Sequence, residues 1–496
     1  MKKLIFLFGV LLPVSLFAQP EQKHQNFMDS ITKEFDKFQH SINQTFNAFR
    51  DSINNVFAKS LEEKWEQFQV LAKIPVPIKP NPKTPPVVDT SRKEMPKPQE
   101  VPIQEDVPPK EPAPPVPPKE QPPFIEEPIP ENLNYQPVNL WKTSFKIPYP
   151  IELKTLRLKD NSEKSVSKFW SDINRTNYKI AINELIKICS NCRLNDYGLA
   201  KLCYEFAKNI FPPKENLQEE ANVLVVFLLN QLLTDAKIVR TSMGLEPVFA
   251  SEQTVYATPY VNIENKTYYF LFTSNEPKSI YTYKTPFPEK TTNVDFNVYQ
   301  AVNISKTVNE KNLAIKSLNK TVKLAYSESA IEYYRHYPQV DAYVNANAAV
   351  SNVFRESIIN QFTPLLSGKS EVEAVNVLLN FIQYGFAYKT DPEQFGYEKW
   401  NFCEENLYYP YNDCDDRAIL FSYLVRELLH LEVVLLEFSD HMSTAVKFNT
   451  TINGDYIVVN GKHYTICDPT YIGSITGMNP EKYKLEKVKV IFTQNR

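Results

Sequence analysis

Glycine is scarce in this chain, 10 of 496 residues, while proline is abundant at 38. The scarcity excludes collagen-like and Gly-rich linker sequences, and neither GxGxxG nor GxxxxGK[ST] occurs, so no Gly-rich phosphate loop is expected. Charge of one sign is also missing. A net charge of −3 argues against a nucleic-acid binder that works by neutralising phosphates. Cysteine numbers only six, too few for a disulfide framework in a chain this long. After the first twenty residues no apolar run is long enough to cross a bilayer. What is present is a globular composition: 43% hydrophobic and 13% aromatic residues can bury cores, and the length suits two or three domains.

Lys2 and Lys3 precede an apolar run from Leu4 to Phe17 that closes on Ala18-Gln19. A basic start, a run shorter than a membrane span and a small residue at its end predict a signal peptide over 1–18. No Cys follows the run, so no lipoprotein anchor is expected. The predicted location is periplasmic or secreted.

Residues 26–70 carry an eleven-residue period. Phe27, Phe38 and Phe49 recur, as do Ile31, Ile42 and Ile53, and Phe35, Phe46 and Phe57; Leu61, Trp65 and Phe68 continue the stripe after a one-residue shift. Eleven residues over three turns is about 3.67 per turn, which keeps the stripe on one helical face. One long amphipathic helix is therefore predicted over 26–70. Its apolar face needs cover, from a second copy in a coiled coil, from another envelope component, or from the globular part of the same chain. Residues 74–137 hold 21 of the 38 prolines and read as an extended, stiff polyproline spacer. Beyond it, 138–345 reads as a mixed region, helical at first and strand-rich from 253 on. Helix returns over 346–390. Cys189 and Cys192 form a CxxC without a second cysteine or histidine pair nearby, which leaves a local disulfide or two ordinary thiols ahead of zinc.

The chemistry concentrates near the C-terminus. Asn412-Asp413-Cys414-Asp415-Asp416-Arg417-Ala418 leads into an apolar helix, Ile419 to Leu429. A cysteine at a helix start sits where unpaired N–H groups and the macrodipole favour a thiolate, and the same N–H groups can hold an oxyanion. A strand then runs to Ser439-Asp440-His441, and a hairpin around Asn460-Gly461 ends at Asp468-Pro469-Thr470. Cys on a helix start, His at one strand and Asp after another is the arrangement that thiol acyl transfer requires. His441 takes the thiol proton and Asp468 orients the imidazole.

These residues resemble the transglutaminase-like superfamily of papain-like cysteine enzymes. The likeness rests on Asp413-Cys414-Asp415-Asp416-Arg417-Ala418 with Leu420-Phe421 and Leu424-Val425-Arg426, on His441 with Thr444-Ala445-Val446, and on Tyr464 with Asp468-Pro469-Thr470. Phe386 to Asp391 and Tyr408-Tyr409-Pro410-Tyr411 resemble the branch exported by Bacteroidetes. The resemblance covers about residues 370–480. It implies an α+β fold with a transglutaminase-like domain at 346–496, in which Cys414 is the nucleophile, His441 the base and Asp468 the orienting acid. The upstream side chain that completes an oxyanion hole is not evident; Tyr408 and Trp400 are the candidates. Three carboxylates beside Cys414 oppose thiolate formation, so either Arg417, His441 and the helix dipole outweigh them or some of the three point to solvent. No cofactor and no metal is expected, because no calcium-ligand loop is visible. A weaker echo upstream suggests that part of 138–345 is a degenerate copy: laying Phe227 on Phe421 puts Glu220 at the Cys position and Val248 near the His position, and laying Tyr268 on Tyr464 puts Phe272 at the Asp position.

The expected function is therefore an exported cysteine hydrolase or acyltransferase acting on peptide or protein amides in the cell envelope, with peptidase or amidase chemistry ahead of cross-linking. The alternative is an envelope adaptor or scaffold that keeps the fold without turnover. Self-association or an envelope partner is assigned to 26–70, and no nucleic-acid partner is expected.

Overall fold

Local sequence explains most of the elements. In the computed structural model, which describes residues 21–76, 83–89, 97–104, 133–273 and 276–494, the chain is an α+β protein. Residues 1–18, where a signal peptide is expected, and much of the proline-rich segment lie outside the described residues. Two units are distinguished, 1–55 and 56–496. Among the described residues no helix is long and apolar enough to cross a membrane.

Helix α1 spans Glu21–Leu61 and carries no Pro or Gly. No side chain of its stripe between Phe27 and Phe46 is described; Phe49 is exposed. The helix stops nine residues short of the expected end at 70. Trp65 turns back to donate its indole N–H to the Leu61 carbonyl, and Glu66–Gln69 becomes strand β1. The cause is tertiary: Phe57 is buried edge-on to Trp170, Tyr283 and Phe287, and β1 pairs antiparallel with Ser279–Thr282. The last turns of the stripe thus pack on the chain's own globular part.

A hairpin of β2 (Asn134–Leu140) and β3 (Thr143–Tyr149) leads to helices α2 (Glu163–Asn174), α3 (Lys179–Cys192), α4 (Asp196–Ile210) and α5 (Gln218–Gln231). Strands β4 (Ala236–Thr241), β5 (Gly244–Ala250), β6 (Tyr260–Ile263), β7 (Lys266–Tyr269) and β8 (Ser279–Thr282) complete the middle region. A second hairpin, β9 (Val308–Ile315) and β10 (Lys320–Ser327), is followed by α6 (Glu328–Tyr334), α7 (Ala342–Asn347), α8 (Asn352–Leu366) and α9 (Glu371–Gly385). Ser370 and Glu373 close a reciprocal capping box at the start of α9. Two short helices, α10 (Asp391–Gln394) and α11 (Glu405–Tyr408), precede α12 (Cys414–Leu429). Then come β11 (Glu432–Glu437), β12 (Met442–Lys447), β13 (Tyr456–Val459), β14 (Lys462–Ile466) and β15 (Lys489–Phe492). The Asn460-Gly461 turn is as expected, both residues having positive φ, as a two-residue type I′ hairpin demands. The C-terminal core begins earlier than residue 346, because Leu313, Ile315, Val322 and Leu324 of the β9–β10 hairpin are buried with Phe354, Phe381 and Phe421.

The two large sheets repeat one another. The middle sheet runs β1-β8-β4-β5-β7-β6 and the C-terminal sheet β15-β11-β12-β14-β13 when read from the matching edge. After their leading helices α5 and α12, the five strands take the same places (fifth, first, second, fourth, third), with antiparallel pairing throughout. Register departs from the sequence expectation at two positions. Glu219 accepts from the backbone N–H of Leu245 at 3.0 Å, and this is the counterpart of a contact between the Met442 N–H and Cys414. Glu219 rather than Glu220 therefore stands at the Cys place, and Gly244 rather than Val248 at the His place.

The proline-rich segment is not a free spacer where it is described. Val101 is buried among Ile457, Val459 and Val488, its N–H donates to the Tyr456 carbonyl, and Tyr456 donates back to Gln99. Further on, Val488 N–H bonds to Pro102, while Val88 and Pro86 exchange bonds with Ile472. These residues run along the exposed edge strand β13 and across the loop after β14. An unpaired sheet edge offers backbone groups that a short extended segment can satisfy even when rich in proline.

Candidate active site

Helix α12 starts at Cys414 with Asp413 as its extended N-cap residue, so the thiol sits at the positive end of a sixteen-residue dipole. Cys414 is fully buried. Its sulfur accepts from the backbone N–H of Met442 at 3.4 Å, which ties the helix start to the residue after His441. Strand β12 thus brings residues 414 and 441–442 together from distant points in the chain.

His441 and Asp468 are also fully buried. His441 Nε2 lies 2.8 Å from Asp468 Oδ2, while His441 Nδ1 has no hydrogen-bond partner. Asp468 is itself held, because its Oδ1 accepts from the N–H groups of Thr470 and Tyr471 at 2.8 and 3.1 Å. Gln383 of α9 donates to the Asp468 carbonyl and anchors Ser474 beyond it. The Asp-Pro-Thr turn is therefore a rigid cradle that aims one carboxylate oxygen at the imidazole. Tyr483 stacks on the other side of the ring, centroids 5.0 Å apart and planes within 17°, with its hydroxyl on Asp440 at 3.0 Å. Phe438 lies parallel to the same imidazole ring at 6.4 Å.

Around the thiol the acidic flank is buried, not turned to water. Asp413, Asp415 and Asp416 are inside, with Asp391 and Glu398 beside them. Burial first, and the neighbouring carboxylates second, push Asp391, Asp413 and Asp416 well above the ordinary carboxylate range. Asp416 is bonded to Asn401, whose N–H and amide reach its two oxygens at 2.9 and 2.8 Å. Arg417 is buried too; desolvation lowers it to about 10 despite the attraction of Tyr388, Asp413 and Cys414. Its Nη2 donates to the Phe386 carbonyl at 2.9 Å and its guanidinium lies over the Tyr388 ring.

The structure separates the expected site residues. His441 and Asp468 meet at 2.8 Å, and Cys414 meets the backbone of the residue after His441. Of the two oxyanion candidates, the Tyr408 hydroxyl accepts from Arg335 at 2.7 Å and the Trp400 ring packs edge-on to Tyr256. Tyr388 is the side chain that sequence reasoning missed. Burial first, and the charge of Cys414 second, hold its hydroxyl well above its ordinary value, so it stays protonated. The signal was the aromatic residue two before Thr390 in a segment already noted for its likeness, but nothing in the spacing placed it by the thiol. All six cysteines are buried and none is in a disulfide, Cys189 and Cys192 included, so neither Cys403 nor Cys467 is bridged to Cys414. No metal ligands were expected from the sequence, yet Asp391, Glu398, Asp413 and Asp415 are gathered so that one oxygen of each lies within 4.8 Å of the others.

Comparison with protein-family models, with curated proteins and with solved structures finds no match to this chain. The functional reading therefore rests on the geometry.

Proposed function

We propose that the protein is an exported, transglutaminase-like cysteine hydrolase or acyltransferase acting on peptide or protein amides. The observation that carries this is the histidine: Nε2 is fixed on Asp468 at 2.8 Å, Nδ1 is left over, and the next residue's N–H is on the Cys414 sulfur. That division of the two ring nitrogens is what a thiol–imidazole pair needs. His441 Nδ1 accepts the thiol proton, and the sulfur attacks the amide carbonyl carbon. The resulting oxyanion is met by the N–H groups at the start of α12 and by the Tyr388 hydroxyl. On collapse the C–N bond breaks, the amine leaves with the proton from His441, and an acyl thioester remains on Cys414. Water, deprotonated by His441, releases the acid; an amine in its place gives transfer. Asp468 touches none of the reacting atoms and is a positioning residue.

The repeated sheet order supports reading the middle region as a silent copy of the same fold. There, Glu219 replaces the thiol in its contact with the next strand, and Gly244 replaces the histidine. One observation favours the adaptor reading, the complete burial of all three triad residues. Iodoacetamide labelling of Cys414 across pH, with His441→Ala beside it, separates the two. Fast labelling that persists below the range of an ordinary thiol, whose pKa is about 8.5, and that is lost in the variant, supports the enzyme. Slow labelling that ignores His441 supports the adaptor.

A further inference from the structure

We propose that Asp391, Glu398, Asp413 and Asp415 form a binding site for one hard divalent cation of the calcium class, built into the flanks of the Cys414 nucleophile. The four residues come from three separate stretches: the start of α10, the loop after it, and the two positions either side of Cys414. All four are buried, and one carboxylate oxygen from each lies within 4.8 Å of the other three. Two oxygens on opposite sides of a single Ca²⁺ are about 4.8 Å apart, since calcium binds oxygen at roughly 2.4 Å, so the four atoms fit within one coordination sphere.

Proximity of acids alone would not make a site. The independent observation is Asp391. Its side chain is fully buried, Oδ2 accepts from the Lys399 N–H at 2.7 Å, and Oδ1 accepts nothing. A buried carboxylate oxygen without a donor costs stability unless something outside the protein satisfies it. Of the nearby cations Lys399 is committed elsewhere, with its Nζ on Glu405 and Asn401. Arg417 spends only Nη2 on a hydrogen bond, to a backbone carbonyl, and keeps Nε and Nη1 without partners among the described residues. Neither Asp391 nor Asp415 forms an ion pair among the described residues.

The donor set selects the ion. Four carboxylates and no imidazole or thiolate in the cluster argue against zinc. Magnesium demands a tighter octahedron and keeps most of its waters, whereas calcium accepts several carboxylates in flexible geometry. A cation here has a direct consequence for the proposed chemistry, and this part rests on that reading. Asp413 and Asp415 bracket Cys414, so an ion joining them to α10 fixes the start of α12 and sets a positive charge beside the thiol.

The test uses the full chain, stripped with EDTA and titrated with CaCl₂ by calorimetry, with thermal unfolding in parallel. The expected result is one Ca²⁺ per chain, a rise in melting temperature on adding it, weaker binding of Mg²⁺, and at least a tenfold loss of calcium affinity in Asp391→Asn. Glu398→Gln, away from the helix start, serves if Asp391→Asn does not fold. Absence of saturable binding by the wild type, the four acids then sharing protons in place of a cation, overturns the proposal. Equal affinity in a folded variant overturns it as well. Heat of binding is read without any thiol chemistry, so the two readings fail separately. Calcium binding with an inert Cys414 supports the ion site and removes the enzyme; a reactive Cys414 with no binding does the reverse.

Discussion

Replacing Asp468 by Asn changes one atom and reverses the proton arrangement of the histidine. In the wild type Oδ1 holds the turn through the N–H groups of Thr470 and Tyr471, and Oδ2 faces His441 Nε2 at 2.8 Å. Asn can keep the two turn bonds only by leaving its carbonyl oxygen at the Oδ1 place. Its NH₂ then points at Nε2 and must donate, so the neutral ring carries its proton on Nδ1. That nitrogen can no longer accept from the thiol. The lost interaction is a buried hydrogen bond to a charged group, worth about 1.5–3 kcal/mol. At ~1.4 kcal/mol per decade, that predicts an alkylation rate of Cys414 at pH 7 about 10- to 150-fold below wild type. The assay is timed iodoacetamide labelling, quenched and read by mass spectrometry on the peptide containing Cys414. The other five cysteines are buried and serve as internal controls. A folded Asp468→Asn protein that labels within twofold of wild type would refute the reasoning. Asp468→Ala is less clean, because it also strips the partners of two backbone N–H groups, at about 1–3 kcal/mol each.

Three further outcomes are expected. Tyr483→Phe keeps the ring over His441 but loses the bond to Asp440, so urea unfolding should show a loss of about 0.5–1.5 kcal/mol with little change in labelling. Amide exchange at Val101 and Val88 should be slow; exchange at the rate of an unstructured peptide would show that the proline-rich segment is a free spacer after all. Lys237 is buried, donates to three carbonyls at Tyr283, Lys284 and Thr285, and is lowered to about 8 mainly by desolvation. Its folded-state pKa is below its unfolded value, so the unfolded chain binds more protons between about pH 8 and 10.5, and stability rises with pH across that window. Relative to Lys237→Met, the wild type should gain on the order of 3 kcal/mol from pH 7 to pH 10.5, read by urea denaturation.

Legibility in the sequence followed the range of the forces involved. Local signals were readable. The Asn460-Gly461 turn, the apolar helix after Cys414 and the strand alternation over 432–466 all depend on neighbours in sequence, and each element was placed to within a few residues. The order Cys, His, Asp could be proposed as a triad because each residue sits at the end of an element whose type was plain. What could not be read depended on distant partners. Trp65 and Phe68 continued a helical stripe, yet Ser279–Thr282 offered a strand edge and β1 took it. Val101 looked like spacer, yet the edge of β13 had backbone groups to satisfy. The fate of the acidic flank was hidden for the same reason: nothing near Cys414 in sequence says that Asp391 and Glu398, at least fifteen residues away, will meet it.

The repeat bears on why one half would be reactive and the other not. In both halves a helix start meets the N–H at the head of the second strand, through a carboxylate in one case and a sulfur in the other. The contact therefore has a structural use that does not need a nucleophile, since it docks the helix on the sheet. In the middle half the contact is made by a carboxylate. Gly244 has φ +120°, and a Cβ there would fall 2.3 Å from Glu219 Oε1, so no histidine could stand at its place while the glutamate holds the strand. In the C-terminal half the docking group is a thiol, the residue before the strand is an imidazole, and the hairpin that follows supplies a fixed carboxylate. Restoring Cys at 219 alone would therefore give no reactive thiol, because the base is excluded by backbone conformation as well as by sequence. The expected outcome for Glu219→Cys is a thiol that labels no faster than a free cysteine, together with a weaker hold on β5. Rapid labelling at position 219 would show that the helix start by itself activates a thiol, and the role given to His441 would then have to be reduced.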